Sequence, residues 1–382
     1  MMAALHESRD GGLWFATLGG GVTRLKEGEL THWTTREGLP SNRVLAIADA
    51  RDGGLWFGTQ RGVSRWQAGT ITRSFGEAEG LPGGVRAVHE DEQGTLWAGT
   101  HLGLARWNGK RFELLSPSDG RPGAAITVLL PRAAGGFWVG SGNGGLGYLQ
   151  ESRLVPLTSE EKPLASSILT LHEEADGTLW IGSTAGLIRW KQGRFTRFTR
   201  AEGLFDDIIF QALPDGRGNL WLGCNKGVFR VSQEELDAVA EGRLARVRSR
   251  LHGMDDGMRS PECNNVGWPS GLRSRDGRLW FPTIRGAVAY DPNHEVAPAA
   301  PPPPVLLEEV RVDGRTVPAS EWGPIPPGAE RVEIYFTSPS LGSLQHLRFR
   351  YQLEGLDKDW VEVGPEQRKA DYTRMSRSAP PS

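Results

Sequence analysis

Cysteine is nearly absent: Cys224 and Cys263 are the two in 382 residues. Two are too few for a disulfide framework, and their spacing makes no metal knuckle. Each reads as a small buried side chain. Histidine is scattered over eight positions with no His-x-His or His-x-x-x-His pair, so close ligand pairs for a metal are missing. No metal, no catalytic constellation and no cofactor are expected. Charge of one sign is lacking too. Lys and Arg number 44, Asp and Glu 46, interspersed to a net −2, which leaves no electrostatic footprint for nucleic acid. No run of about 18 apolar residues crosses a bilayer. The opening Met1–Glu7 has neither the basic nor the apolar region of an export signal.

Glycine is abundant, at 51 residues, and it recurs at fixed places. A core of the form Asp-Gly-x-Leu-Trp-Phe-Gly, closed by Thr or Ser, repeats around Trp14, Trp56, Trp97, Trp138, Trp180, Trp221 and Trp280. Successive intervals are 42, 41, 41, 42, 41 and 59 residues. A fixed period of this length is the mark of a repeat architecture. In the second copy, Leu55–Thr59 is a short apolar run preceded by the tight-turn pair Asp52-Gly53. Gly62–Trp66, Thr70–Phe75 and Val85–His89 read as further strands. Four short antiparallel strands per period predict a propeller blade. Each blade has two apolar faces and needs neighbours on both.

The fold class expected is all-β: a seven-bladed β-propeller over residues 1–293, then a Pro-rich linker at 294–304. An incomplete immunoglobulin-like β-sandwich follows at 305–382. The sandwich rests on alternating segments at Arg331–Phe336 and Leu347–Leu353 and on the turn pair Asp313-Gly314. After Tyr290 the chain enters the linker, so the seventh blade is expected to lack one strand, with a latch strand upstream of Met1.

The seven repeat tryptophans are expected to pack between blades, since all share one buried-strand position. The 59-residue interval holds an insertion at residues 232–271. It opens with a capping box, Ser232-Gln233-Glu234-Glu235, that predicts a short helix to about Ala240. Loops on a rigid ring carry binding residues, so the ligand contacts expected on this insertion and its flank are Arg259, Glu262, Asn264, Asn265, Trp268 and Arg273. Asp206-Asp207 is a carboxylate pair a glycosidase or lyase could use; a solvated loop pair is the plainer reading.

These residues resemble a known family. The repeated cores, with Gly-Val-x-Arg-Trp after them and loops such as Glu37–Pro40 and Glu79–Pro82, are similar to two-component regulator propeller repeats. Phe349–Trp360 resembles the opening of the three-tyrosine (Y_Y_Y) sandwich domain that follows them, with Tyr351 and Tyr372 matching two of its tyrosines. The tail from Arg374 departs from that pattern, as a truncation or frameshift would. The resemblance implies the periplasmic or extracellular ligand-sensing region of a membrane-anchored receptor. A histidine kinase or diguanylate cyclase would be its output, and a phosphorelay its signalling route. It implies a small-molecule or oligosaccharide ligand, with the sandwich as a route to homodimerisation. Two other classes stay open: a secreted carbohydrate-active lyase or glycosidase, and a propeller that scaffolds protein partners.

Overall fold

The structure is a computed structural model that describes residues 1–115, 125–150, 153–157, 166–294, 304–322, 328–339, 349–354, 356–364 and 366–373. The chain divides into two compact units, Met1–His294 and Glu295–Ser382. Most of the expected linker and the divergent tail lie outside the described residues.

In the first unit, the described strands form six four-stranded antiparallel sheets and one three-stranded sheet. Sheet 1 runs Met2–Glu7, Leu13–Thr17, Val22–Lys26 and Glu29–Trp33 in spatial order. Sheets 2 to 7 open with Val44–Asp49, Ala87–Glu90, Ile126–Pro131, Ile168–Glu173, Gln211–Pro214 and Leu272–Arg273. Sheet 7 continues with Leu279–Thr283 and Gly286–Tyr290 and has no fourth strand among the described residues. Each sheet begins with the strand before the Asp-Gly turn. Val85–His89, read as the end of one repeat, therefore opens the next sheet.

The opening strands pack side by side. That of sheet 7 also contacts Met2–Glu7 of sheet 1, so the row of sheets closes on itself. The closure is specific. Leu5 donates its N–H to the Pro269 carbonyl, Arg275 N–H to the Glu7 carboxylate, and the Arg275 guanidinium to the carbonyls of Ser8 and Arg9. Two other junctions use the Glu7 device, a carboxylate closing the first strand that caps the turn of the preceding sheet. Glu90 accepts from Arg51 N–H, and Glu173 from Ala133 N–H.

The repeat tryptophan sits on the second strand of every sheet. Trp14, Trp97, Trp138, Trp180 and Trp221 are fully buried, Trp56 is buried, and Trp280 is half-buried. A buried indole N–H needs an acceptor. The residue six positions earlier supplies it in five sheets: Ser8, Asp91, Glu174, Asp215 and Ser274, at 2.7–3.1 Å. Ala50 and Arg132 occupy that place in sheets 2 and 4. Trp56 turns instead to Glu90 of sheet 3, and the Trp138 N–H has no partner among the described residues. The acidic turns are therefore built to hold tryptophan. Three residues after the indole, a hydroxyl donates to a glycine-turn carbonyl at 2.8–3.1 Å in six sheets, from Thr17, Thr59, Thr100, Ser141, Ser183 and Thr283. Cys224 takes this place in sheet 6. The insertion opens with helix Gln233–Ala240, whose N-cap Ser232 accepts from Glu235 N–H.

The second unit holds a four-stranded antiparallel sheet, in which Leu306–Val312 lies between Arg315–Val317 and Arg331–Thr337, with Lys369–Thr373 outermost. A two-stranded pair, Phe349–Tyr351 with Val361–Val363, stands beside it. Phe336, Phe349, Val363, Ala370 and Tyr372 form its small core. The Tyr372 hydroxyl donates to Asp357, which also accepts from Leu353 N–H.

Candidate functional site

The insertion leaves sheet 6 after Arg250–His252, turns through Met254–Asp256 and buries Met258. It then passes between sheets 6 and 7, where Cys263 N–H donates to the Cys224 carbonyl and Cys263 bridges to Thr283. From there it runs along the axis of the ring. The Asn265 side chain donates to the carbonyls of Leu169 and Phe210, in sheets 5 and 6, at 2.7 and 3.0 Å. Arg86 of sheet 3 reaches the Asn265 carbonyl. Trp268 pairs with Ala46 in sheet 2, its N–H donating to Leu45 and its carbonyl accepting from Ile47. Its indole donates to the Leu129 carbonyl of sheet 4 at 2.9 Å. Pro269 meets Leu5 of sheet 1, and Asn264 N–H meets the Pro282 carbonyl of sheet 7. Six residues that bond to all seven sheets can lie only where those sheets converge. The segment is an axial plug.

Glycine at 267 is required by this route. A Cβ there would stand 1.8 Å from the Leu45 carbonyl oxygen, so only a bare backbone passes.

The structure thus divides the six residues expected to touch ligand. Arg259, Glu262 and Arg273 are exposed, whereas Asn264 and Trp268 are buried and Asn265 is half-buried. Trp268 belongs to the core cluster around Trp97, Trp138 and Ile188; it packs rather than stacking on a free surface. Arg273 stands in the opening strand of sheet 7, and Arg259 and Glu262 stand on the loop before the plug. Asp206 accepts from Ile208 N–H and pairs with Lys226, while Asp207 accepts from Arg200 N–H. Both carboxylates are used in shaping their loop.

Sequence reasoning missed Arg86. It is half-buried, and burial pushes its guanidinium pKa down. Its signal in the sequence was faint: one Arg at the start of a strand whose counterparts are mostly apolar. His89 and His172 lie on opening strands opposite Trp97 and Trp180. Burial lowers both their pKa values, against the nearby Asp91 and Glu173 respectively. Burial also pushes the Cys224 thiol up to about 11 and the Cys263 thiol up to about 12, so neither is a nucleophile near neutrality. Among the described residues, no group of three or more His, Cys, Asp or Glu side chains could hold a metal ion. No helix among them is long and apolar enough to cross a membrane.

Residues 38–61 match the two component regulator propeller family. Comparison with curated proteins gives no match. Among solved structures, the chain is similar to the extracellular domain assigned to the hybrid two component system BT3049 from B. thetaiotaomicron. The TM-score is 0.68 at 22% identity, over 100% of this chain and 51% of that one. The fold is a β-propeller. A second similar structure is the extracellular domain assigned to the hybrid two component system BT4673 from the same organism, with TM-score 0.57 and 18% identity, over 98% of this chain and 53% of that one. The chain spans about half the length of these ectodomains. Virginiamycin B lyase from Staphylococcus aureus also resembles it, with TM-score 0.58 and 16% identity, over 75% of this chain and 93% of the lyase. Propellers of both kinds are thus neighbours in fold, and the sensor ectodomains match the second unit as well.

Proposed function

We propose that this chain is the ligand-sensing region of an extracytoplasmic two-component receptor. In this reading residues 1–293 form a seven-bladed propeller, 294–304 a linker and 305–382 a Y_Y_Y-type sandwich. The receptor's output is a histidine kinase or a diguanylate cyclase acting across the membrane. A small molecule or oligosaccharide binds the propeller, and the sandwich pairs with a second copy to pass the signal on. The observation that carries this reading is the likeness to sensor ectodomains along the whole chain, second unit included. The family match at residues 38–61 points the same way. Fold alone does not fix function.

The lyase likeness favours a second reading, a secreted propeller enzyme. Against it, the described carboxylate pair at Asp206 and Asp207 is spent on loop structure. A thermal-shift screen of the purified chain with small molecules and oligosaccharides, run beside product assays on a polysaccharide panel, separates the two. The sensor reading expects a compound that raises Tm and is recovered unchanged. Release of reducing ends or unsaturated products would overturn it.

A further inference from the structure

We propose that the outer edge of sheet 7, Gly286–Tyr290, is a docking site for an extended segment of a partner polypeptide that reads Arg or Lys, any residue, then an aromatic. The segment adds antiparallel as a fourth strand, with its aromatic opposite Ala287 and its cation opposite Ala289. This docking site is independent of the sensor reading above.

In the other six sheets a fourth strand pairs with the third. In sheets 1, 2, 5 and 6 that strand ends on Trp33, Phe75, Phe198 and His252, and each ring packs on the repeat tryptophan of its own sheet, at 4.8–6.2 Å between centroids. Three of them also reach a ring on the third strand of the next sheet, Trp66, Trp107 or Tyr290. A glycine makes room for each strand end: a Cβ on Gly21, Gly62, Gly186 or Gly227 would stand 1.9–2.6 Å from the carbonyl oxygen of that last residue.

Sheet 7 has the receiving half of this arrangement. Gly286 shares the φ of Gly62, +138°, yet nothing lies within 4 Å of its Cβ position. Ala289 is exposed and Ala287, Val288 and Tyr290 are half-buried, whereas Val63, Ser64, Arg65 and Trp66 of sheet 2 are buried. Across the junction, Leu13, Phe15 and Leu25 of sheet 1 are half-buried where Leu55, Phe57 and Trp66 of sheet 2 are buried. Trp280, the one repeat tryptophan left half-buried, meets Phe15 at 6.0 Å. The chain leaving Tyr290 is drawn to sheet 6 instead, where Arg217 donates to the Pro292 carbonyl and the Asn293 side chain. An apolar edge without a fourth strand is a template for one from outside.

Charge names the occupant. In sheets 1 and 2 the third strand lays Arg24 and Arg65 over Trp14 and Trp56 and pairs them with Asp10 and Asp52 of the turn. Sheet 7 keeps the indole and the turn carboxylate, Trp280 and Asp276, but has Ala289 in place of the arginine. Asp276 turns to Arg278 at 3.5 Å, with both side chains more than half exposed, and Asp291 adds a second carboxylate near it. An uncovered indole beside carboxylates suits a cation, and an aromatic two residues further along a strand falls on the same face. Two fourth strands of this chain read this way, Arg73-Ser74-Phe75 and Arg250-Leu251-His252. Their arginines stand opposite Arg65 and Arg230, and their rings opposite Val63 and Val228.

The test is fluorescence polarisation on the whole chain with a labelled peptide of residues 69–76, Gly-Thr-Ile-Thr-Arg-Ser-Phe-Gly, followed by hydrogen exchange. Saturable binding is expected, with slowed exchange across 286–290. Phe75→Ala or Arg73→Glu in the peptide should each weaken binding about tenfold. In the chain, Ala287→Glu should weaken it likewise with little change in Tm, since Ala287 is half-exposed. Ala287→Val, which copies Val22, Val63 and Val228, should keep it. No saturable binding overturns the proposal, as does binding that leaves exchange across 286–290 unchanged or tolerates both peptide substitutions. Should Ala287→Glu fold poorly, the two peptide variants on wild type decide alone. If the unliganded chain sediments as a dimer with 286–290 already slow, the edge belongs to a second copy and the proposal falls. Slow exchange there in a monomer gives the edge to the chain's own residues and overturns it equally.

Discussion

The repeated sheets and the single insertion obey different rules. In the sheets one local device recurs: an indole held by an acceptor six residues earlier, and a hydroxyl closing a glycine turn three residues later. Each bond is short in sequence, so each copy carries its own instructions. The insertion has no copies. Its contacts reach Leu5, Leu45, Arg86, Leu129 and Leu169, and the Trp268 indole bond spans 139 residues. The comparison teaches that the same residue type, tryptophan, is placed by local pattern in one region and by global closure in the other.

Breaking the plug should cost most. Trp268→Ala removes a buried indole from the core, and about 3–5 kcal/mol of stability should go with it. Trp280→Ala, at a half-buried repeat position, should cost less, as chemical denaturation of the two variants will show. Next comes glycine. Gly267→Ala drives a methyl into the Leu45 carbonyl and should cost about 1–3 kcal/mol. Gly53→Ala has open space around it and meets only the strain of its φ of +88°, so about 1 kcal/mol is expected. Equal losses would erase the distinction between axis and turn.

Within the repeat, Trp97→Phe leaves the Asp91 carboxylate without its indole donor, whereas Trp138→Phe deletes an N–H that has no described partner. The first should cost about 1 kcal/mol more than the second in denaturant titrations. The smallest effect is in pH. Half-buried His89 and His172 resist protonation, while in the unfolded chain histidine takes a proton near its ordinary value of 6.5. The unfolded state then binds more protons, so stability falls as pH drops below about 6.5. A second loss begins below 3.8, the ordinary aspartate value, and continues towards about 2, where hydrogen bonds from Lys191 and Thr178 hold Asp176. In a Tm-against-pH series, His89→Gln with His172→Gln should flatten the first decline and leave the second.

The tryptophan period, the Asp-Gly turns and the helix start at Ser232 were legible in the sequence because each depends on neighbours within a few residues. Where sheets begin was less so, since Val85–His89 follows one repeat in the chain but pairs with the next. The path of Asn264–Pro269 was not legible at all. Polar residues beside a tryptophan look the same on an open loop as in a plug, and only the closed ring distinguishes them. Arg86 stayed hidden for the same reason: its environment is made by Asn265, 179 residues away.

Hydrogen exchange tests the plug most directly. The amides of Cys263, Asn264 and Trp268 donate to the carbonyls of Cys224, Pro282 and Leu45. Peptides covering 263–268 should therefore exchange as slowly as the opening strands Val44–Asp49 and Ile168–Glu173, while peptides covering exposed Met254 and Arg259 exchange fast. Exchange in 263–268 as rapid as at Met254 would contradict the account and return the insertion to the surface.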